Sequence, residues 1–395
     1  MKNRTCIARR ARLALIVVLA IVGLSSSLHA QASATTGIIR GTLTDSSGNP
    51  VAGATVTLRN QQTNATRVVR SSASGVYVAS LLPLGPYEVD VRALGFAPAT
   101  RKDIPLGVSA AVELSVVLQR TALQLAAIRV SDKGDTPVST TKTEQATELS
   151  AKVVEGLPNN GRNFLALTLL TPNVAVTQGP DGDVLSVAGQ RGIFNNISVD
   201  GADYNNPFFG EQRGGQRPAF TFNLDAVQEM VVTSQGANAE FGRSAGGFVN
   251  VVTKSGTNTL AGTLHYFGKT SALSSQLKGN GATLDPDFGQ NQFGFTLGGP
   301  VIKDKLFFFT AYDQQLYSDT KQKSRPRNAP FDSLTSYLST AFGGALKNDF
   351  APISRTNDAQ VFLGKIDWRI DARNAFSLKY NYTNSQQNNG TFDVS

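Results

Sequence analysis

Apolar and polar residues follow four different rules along this chain. Residues 13–24 form an apolar run behind a basic stretch, MKNRTCIARRAR. From 37 to 120 apolar positions alternate with polar ones in short bursts, as in GIIRGTLTDSSGNPVAGATVTLRN, where Val56 and Leu58 share one face. The device recurs around Tyr77, passes a Pro-Gly turn at 83–86 into Tyr87, Val89 and Val91, and closes with AVELSVVLQR. Short strands at intervals near ten residues predict an all-β sandwich. From 144 the pattern is mixed. TEQATELSAKVVEGLPNNGRNFLALTLLTPNV predicts two short helices split by Gly156-Leu157-Pro158. The second begins at Asn160 or Gly161 and buries Phe164, Leu165, Leu167 and Leu169. Strands joined by glycine-rich turns follow, in DVLSVAGQRGIFNNISVDGADYNNP and NLDAVQEMVVTSQGANAEFGRSAGGFVNVVTKSG.

After 256 the alternation lengthens. QFGFTLGGP sets Phe293, Phe295 and Leu297 against Gln292, Gly294 and Thr296. FLGKIDWRI sets Phe362, Ile366, Trp368 and Ile370 against Leu363, Lys365, Asp367 and Arg369, and AFSLKYNYTN sets Phe376, Leu378, Tyr380 and Tyr382 against polar partners. About five strands are predicted, near 260–269, 291–301, 305–317, 359–371 and 374–385, with a tight turn at Lys303-Asp304-Lys305 and long polar connections at 270–290 and 318–358. Strands of about ten residues, apolar on one face, suit a membrane β-barrel. The alternation alone does not separate this barrel from a soluble sandwich with one wet face. Five strands do not close a barrel, and an open edge in hydrocarbon leaves costly unpaired backbone groups. Further strands are therefore expected beyond Ser395.

Composition sharpens this picture in two places. The net charge of +8 is concentrated in the first 30 residues, which hold Lys2, Arg4, Arg9, Arg10 and Arg12 and no acid. Without those five, 32 basic residues face 29 acidic ones, a balance of +3 that gives no reason to expect nucleic acid. The basic segment, the apolar run and the small residues up to Ala30 have the three parts of a secretory signal, too short for a comfortable membrane helix. Cys6, the only cysteine, and His29, one of two histidines, fall inside it. The remaining chain has one histidine, His265, in an alternating strand pattern where it reads as a plain strand residue. That inventory excludes most metal sites and nucleophilic triads. No catalytic residue, metal site or cofactor is expected. Asp181, Asp183 and Asp200 read as turn chemistry.

Gly242, Gly246 and Gly247 stand directly before the predicted strand 248–253, where glycine marks a bend or the close approach of another backbone. With its surroundings this stretch carries a resemblance. GTLTDSSGNPVAGATVTL and GVYVASLLPLGPYEVDVRALGF resemble the carboxypeptidase regulatory-like domain, a non-catalytic module. LPNNGRNFLALTLLTPNV, GQRGIFNNISVDG and VQEMVVTSQGANAEFGRSAGGFVNVVTKSGTN resemble, in order, three signatures of the plug domain of TonB-dependent outer-membrane receptors, in the Oar-like subgroup with a regulatory-like domain in front. GGPVIKDKLFFFTAYDQQL resembles the early barrel of the same receptors.

The resemblance implies a multidomain protein. It has a signal peptide at 1–30, a β-sandwich at 31–120, a linker at 121–143, an α+β plug at 144–256 and, at 257–395, the first strands of an incomplete transmembrane antiparallel β-barrel. A plug of this size implies a wall of about 22 strands. The chain would lie in the outer membrane against lipid, with the sandwich in the periplasm. A TonB-type energy-coupling protein would pull on Ile128, Arg129 and Val130, a segment that also reads as an ordinary strand at a domain boundary. Arg191 and Arg243 would contact acidic barrel residues, and Tyr204, Asn205, Asn206, Phe208 and Phe209 would face a small solute or oligomeric ligand. Energy-coupled import through a plug-gated barrel is the function this implies, rather than an enzyme's. The alternative is an outer-membrane platform for adhesion, export or assembly that uses the sandwich as an interaction module.

Overall fold

The computed structural model describes residues 35–120, 144–205, 222–342 and 353–388, with short omissions at 109–110, 160–161, 180–181, 237–241, 243, 276, 280–281, 285–287, 322–328 and 372–373. The basic and apolar leader and the 121–143 connection lie outside the described residues.

The first unit is built from β1 (Thr36–Asp45), β2 (Thr55–Asn60), β3 (Thr66–Arg70), β4 (Val76–Pro83), β5 (Gly85–Arg92), β6 (Ala99–Leu106), β7 (Ala111–Glu113) and β8 (Val116–Leu118). β4 and the pair β7 and β8 flank β1 in one sheet, and the other runs β3-β2-β5-β6. Alternate side chains meet between the sheets, with Ile39, Leu43, Val56, Leu58, Tyr77, Tyr87, Val89 and Val91 essentially inaccessible. Each such aliphatic side chain contributes about 1.5–3 kcal/mol by leaving water. Burying the two tyrosines requires acceptors for their hydroxyls. Tyr77 donates to the Leu114 carbonyl at 2.7 Å and Tyr87 to the Pro83 carbonyl at 2.8 Å.

The middle unit contains β9 (Gln145–Ser150), helices at Ala151–Gly156 and Phe164–Thr168, β10 (Val174–Gly179), β11 (Gly182–Val187), β12 (Asn196–Val199), β13 (Ala202–Asp203), β14 (Val227–Gln235) and β15 (Phe248–Thr253). The sheet order is β13-β12-β15-β14-β9, with β12 and β15 parallel. β15 is buried at all six positions because both its faces are covered. Val249 and Val251 join a core with Phe164, Leu165, Leu167 and Met230, while Val252 meets Val108 of the sandwich. The second helix starts later than the pattern predicts. Asn163 caps it by accepting from Leu165 N at 3.1 Å, and an asparagine oxygen satisfying a free first-turn N–H sets the start more firmly than the apolar spacing does. Leu169, expected inside, lies past that short helix and is half exposed.

The third unit is one open antiparallel sheet. Its strands are β16 (Ala261–Thr270), β19 (Phe288–Ile302), β20 (Leu306–Lys321), β21 (Ile353–Arg369) and β22 (Ala375–Asn388), paired in that order. A small hairpin, β17 (Leu277–Gly279) and β18 (Ala282–Leu284), follows β16, and a helix at Ala329–Ala341 lies in the long connection between β20 and β21. β19 and β20 turn at 303–305 with Asp304 in left-handed backbone, φ 65°. One face carries Phe293, Phe295, Leu297, Phe362, Ile366, Trp368, Phe376 and Leu378, all open to the surroundings. The other buries Gln292, Thr296, Asp313 and Gln315. On β22 the apolar face ends at Tyr382, while pairing with β21 continues through Asn388.

Candidate functional site

The buried face of the long sheet meets the middle unit through charged side chains and through a small apolar cluster of Ala226 with Phe309, Ala311 and Leu363. Arg162 stands just before the capped helix in left-handed backbone, φ 51°. Its guanidinium lies 4.8 Å from the centre of the Phe267 ring on β16 and donates to Asp225 Oδ1 at 2.5 Å. Asp225 is presented by a single turn at Leu224–Ala226, whose cap, Asn223, accepts from Asp225 N at 2.8 Å and donates to the Tyr312 carbonyl of β20 at 3.1 Å. The other Asp225 oxygen pairs with His265 Nδ1. His265 Nε2 is 3.5 Å from Asp313 Oδ2, and Asp313 Oδ1 accepts from Gln292 at 3.1 Å. With the imidazole protonated, two cations alternate with two carboxylates, so the cluster is neutral where lone charges would be costly. Burial pushes the Asp225 carboxyl up, but hydrogen bonds from His265 and Arg162 outweigh it and hold the group down to about 2.

A second contact lies at the other edge of the sheet. Asp200, at φ 50° in the turn after β12, accepts from Thr253 N at 2.7 Å and from Thr253 Oγ1 at 2.6 Å. Lys379 of β22 is 2.7 Å away, and Lys365 of β21 lies 3.5 Å from the Thr253 carbonyl. Burial again works to raise the Asp200 carboxyl, and the fields of Lys365 and Lys379 bring it below its ordinary range.

The glycines between these contacts differ in purpose. A Cβ on Gly247 would lie 2.6 Å from Val187, and one on Gly256 would lie 2.3 Å from the Phe308 carbonyl and 2.8 Å from that of Gly299. Gly256 is where the chain leaves the middle unit and passes against the backbone of the long sheet, and only hydrogen fits there. Around Gly242 there is open space, so crowding does not explain it.

The residues expected to form sites are dispersed. Arg191 is exposed, and among the described residues Arg162 is an arginine of this unit that reaches the long sheet. Asn205 is buried, not open to a ligand. It accepts from Ile197 N at 3.2 Å and donates to Asn196 and Asp203, which ties its own loop together. Tyr204 is half-buried, edge-on to Phe222 at 6.2 Å. Arg243, Asn206, Phe208, Phe209, Ile128, Arg129 and Val130 lie outside the described residues. His265, expected to be a plain strand residue, is instead the centre of the first cluster because its side chain points to the buried face. Its shared parity with Thr263 and Phe267 was the available signal. Among the described residues no group of three His, Cys, Asp or Glu side chains is placed to hold a metal ion, and no helix is long and apolar enough to cross a membrane.

Residues 38–119 match the carboxypeptidase regulatory-like domain family, and residues 252–336 match an outer membrane β-barrel domain family. The chain is 28% identical over 391 residues to the TonB-dependent transporter Oar of Myxococcus xanthus, covering 93% of this chain and 35% of that protein. It thus spans about a third of that relative's length. Among solved structures, the outer membrane transporter YddB from Escherichia coli is similar with a TM-score of 0.47 at 17% identity, over 63% of this chain and 34% of that one. The siderophore receptor PirA from Acinetobacter baumannii gives 0.42 at 18%, over 62% and 32%. The chain is a homologue of a TonB-dependent transporter, with a regulatory-like domain in front of an outer-membrane β-barrel domain, and its place is the outer membrane.

Proposed function

We propose that residues 144–256 are the plug and residues 257–395 the first wall strands of a TonB-dependent receptor that takes up a solute across the outer membrane. The observation that carries this reading is the Arg162–Asp225–His265–Asp313 chain. It fastens the middle unit to the inward face of the sheet, where Asp313 and Gln292 sit beside Phe309, Ala311 and Leu363, while the other face is apolar. A gate needs such an attachment: strong enough to hold at rest, yet built from charged pairs that part without unfolding a core. The Asp200–Lys379 pair gives a second point of attachment on another strand. In this reading residues 31–120 are periplasmic, and the 121–143 linker presents Ile128, Arg129 and Val130 to a TonB-type partner. Arg191, Arg243, Asn206, Phe208 and Phe209 remain the proposed further wall and ligand contacts.

The test is uptake by cells carrying the full-length protein, screened with siderophores, oligosaccharides, peptides and vitamins. Deleting 121–143 should abolish accumulation of the active solute while leaving the protein in the outer membrane. If no solute depends on that segment and surface attachment changes instead, the platform reading replaces this one.

A further inference from the structure

The sandwich touches the other two units through polar contacts and one apolar patch, in which Val108 and Leu84 meet Ala146, Val231 and Val252. Val108 N donates to Glu229 at 2.9 Å, and Val108 packs with Val231 and Val252. At the turn end of the long sheet, the loop between β2 and β3 meets the 303–305 turn. Asp304 Oδ1 accepts from Asn64 at 2.9 Å and from Asn258 at 2.7 Å, and Asp304 N donates to Asn258 at 2.9 Å. Beside them Arg369 lies 3.3 Å from Thr63 Oγ1. Asn64, φ 54°, and Asp304, φ 65°, are both left-handed, a conformation that Asn and Asp tolerate better than other side chains. Two turn apices, one from each unit, are thus shaped to meet.

Behind this meeting point lies a cavity of about 1150 Å³. Its wall takes Thr63 and Leu84 from the sandwich, Asp200 and Thr253 from the middle unit, and Thr263 and Lys379 from the long sheet. The sandwich therefore forms one side of this space. The bonds among Asn64, Asp304 and Asn258 are exposed, each contributes little, and domain contacts that are neither large nor wholly apolar ordinarily permit relative motion.

We propose that the sandwich is a lid over this cavity, latched to the turn rim by Asn64, Asp304 and Asn258 and by Thr63 and Arg369, and that it opens by moving as a body. The inference rests on the plug-and-wall reading above. It adds a gate on the turn side, separate from the plug's own attachment.

The test uses the full-length protein in liposomes, with any cysteine beyond residue 395 replaced by serine; within residues 1–395 the one cysteine, Cys6, falls in the expected signal. Asn64→Cys with Asp304→Cys should be bridged by a short bis-maleimide in most molecules at rest, whereas Asn64→Cys with Ser47→Cys, at the opposite end of the sandwich, gives the background. Separately, Thr296→Cys, a buried position on the wall of the same cavity, reports access to it through its reaction with a bulky charged maleimide. Adding Asn64→Gly and Asp304→Gly, which keep both turns comfortable, should speed that reaction about 3- to 10-fold, as expected for one or two exposed hydrogen bonds. Bridging no better than background, or the same reaction rate with the latch intact and removed, overturns the lid. Uptake is scored independently: bridging and gated access without transport of any solute would sink the receptor reading and leave the lid standing.

Discussion

The sandwich and the long sheet use one alternating rule with opposite outcomes. In the sandwich the apolar set turns inward, with Leu58 and Val89 at 0% exposure, and the polar set meets water. In the long sheet the apolar set turns outward, with Phe295 at 40% and Leu378 at 55%, while Gln292 and Asp313 are shut away at 1%. The same hydrophobic effect drives both, and what differs is the solvent outside. Polar groups gathered on the inner face then need partners, and the middle unit supplies them: Asp225 to His265, Asp200 to Lys379. The inversion that suits the sheet to lipid thus also creates the charged face that holds the middle unit.

The first way to break this comparison is inside the sandwich. Leu58→Ala should lower the stability of that unit by about 2–5 kcal/mol, read as lost amide protection in β2 and β5 by hydrogen exchange on the whole protein. Next is the charged attachment. Asp225→Asn leaves Arg162 and His265 without their common carboxylate and should loosen the 224–235 segment by about 3–5 kcal/mol in the same measurement, since breaking a buried pair strands its partner. An equal result for Asp225→Asn and for Asp90→Asn on the sandwich surface would remove the attachment from the argument.

Solvent identity is tested by two equivalent substitutions. Leu378→Arg should destabilise the protein in bilayers by about 2–4 kcal/mol if that position lies near mid-membrane. Val78→Arg, on the outward face of the sandwich and similarly exposed at 53%, should stay within about 0.5 kcal/mol. Matching costs would mean that both faces meet water. The smallest effect is with pH. The Asp225 carboxyl is held below its unfolded value, so its share of the attachment is complete above about pH 4 and is lost as pH falls through about 2, a change of about 2 kcal/mol. Amide exchange of 224–235 measured from pH 5 to pH 2 follows it, and Asp225→Asn should flatten the profile.

How much of this was legible in the sequence differs by element. Alternation in QFGFTLGGP or TVTLRN is local, and so is a turn such as Lys303-Asp304-Lys305, because period and φ preference are written in adjacent residues. The helix start at Asn163 was displaced because one side-chain hydrogen bond decided it. The Arg162–Asp225–His265–Asp313 chain was illegible for a different reason. Its members lie in four separate elements and become neighbours only when the middle unit meets the sheet, so no spacing announces them. Arg191 and Arg162 look equally suited in the sequence, and burial alone separates them: the first is exposed, and the second is mostly enclosed.

The pairing of β22 with β21 beyond Tyr382 has a consequence for the cell surface. In outer-membrane barrels the short turns face inward to the periplasm and the long connections face out, which places Asn388 on the outer side. Residues 383–388 are Thr, Asn, Ser, Gln, Gln and Asn, still hydrogen-bonded strand but with nothing for lipid to hold. Six residues of strand extend about 20 Å, or about 14 Å of height at a barrel's usual tilt. On the proposed wall reading, β21 and β22 therefore stand above the lipid as a stiff polar parapet. Whatever approaches from the medium, whether a phage tail, an antibody or a nutrient, meets that rim before it meets either membrane or pore.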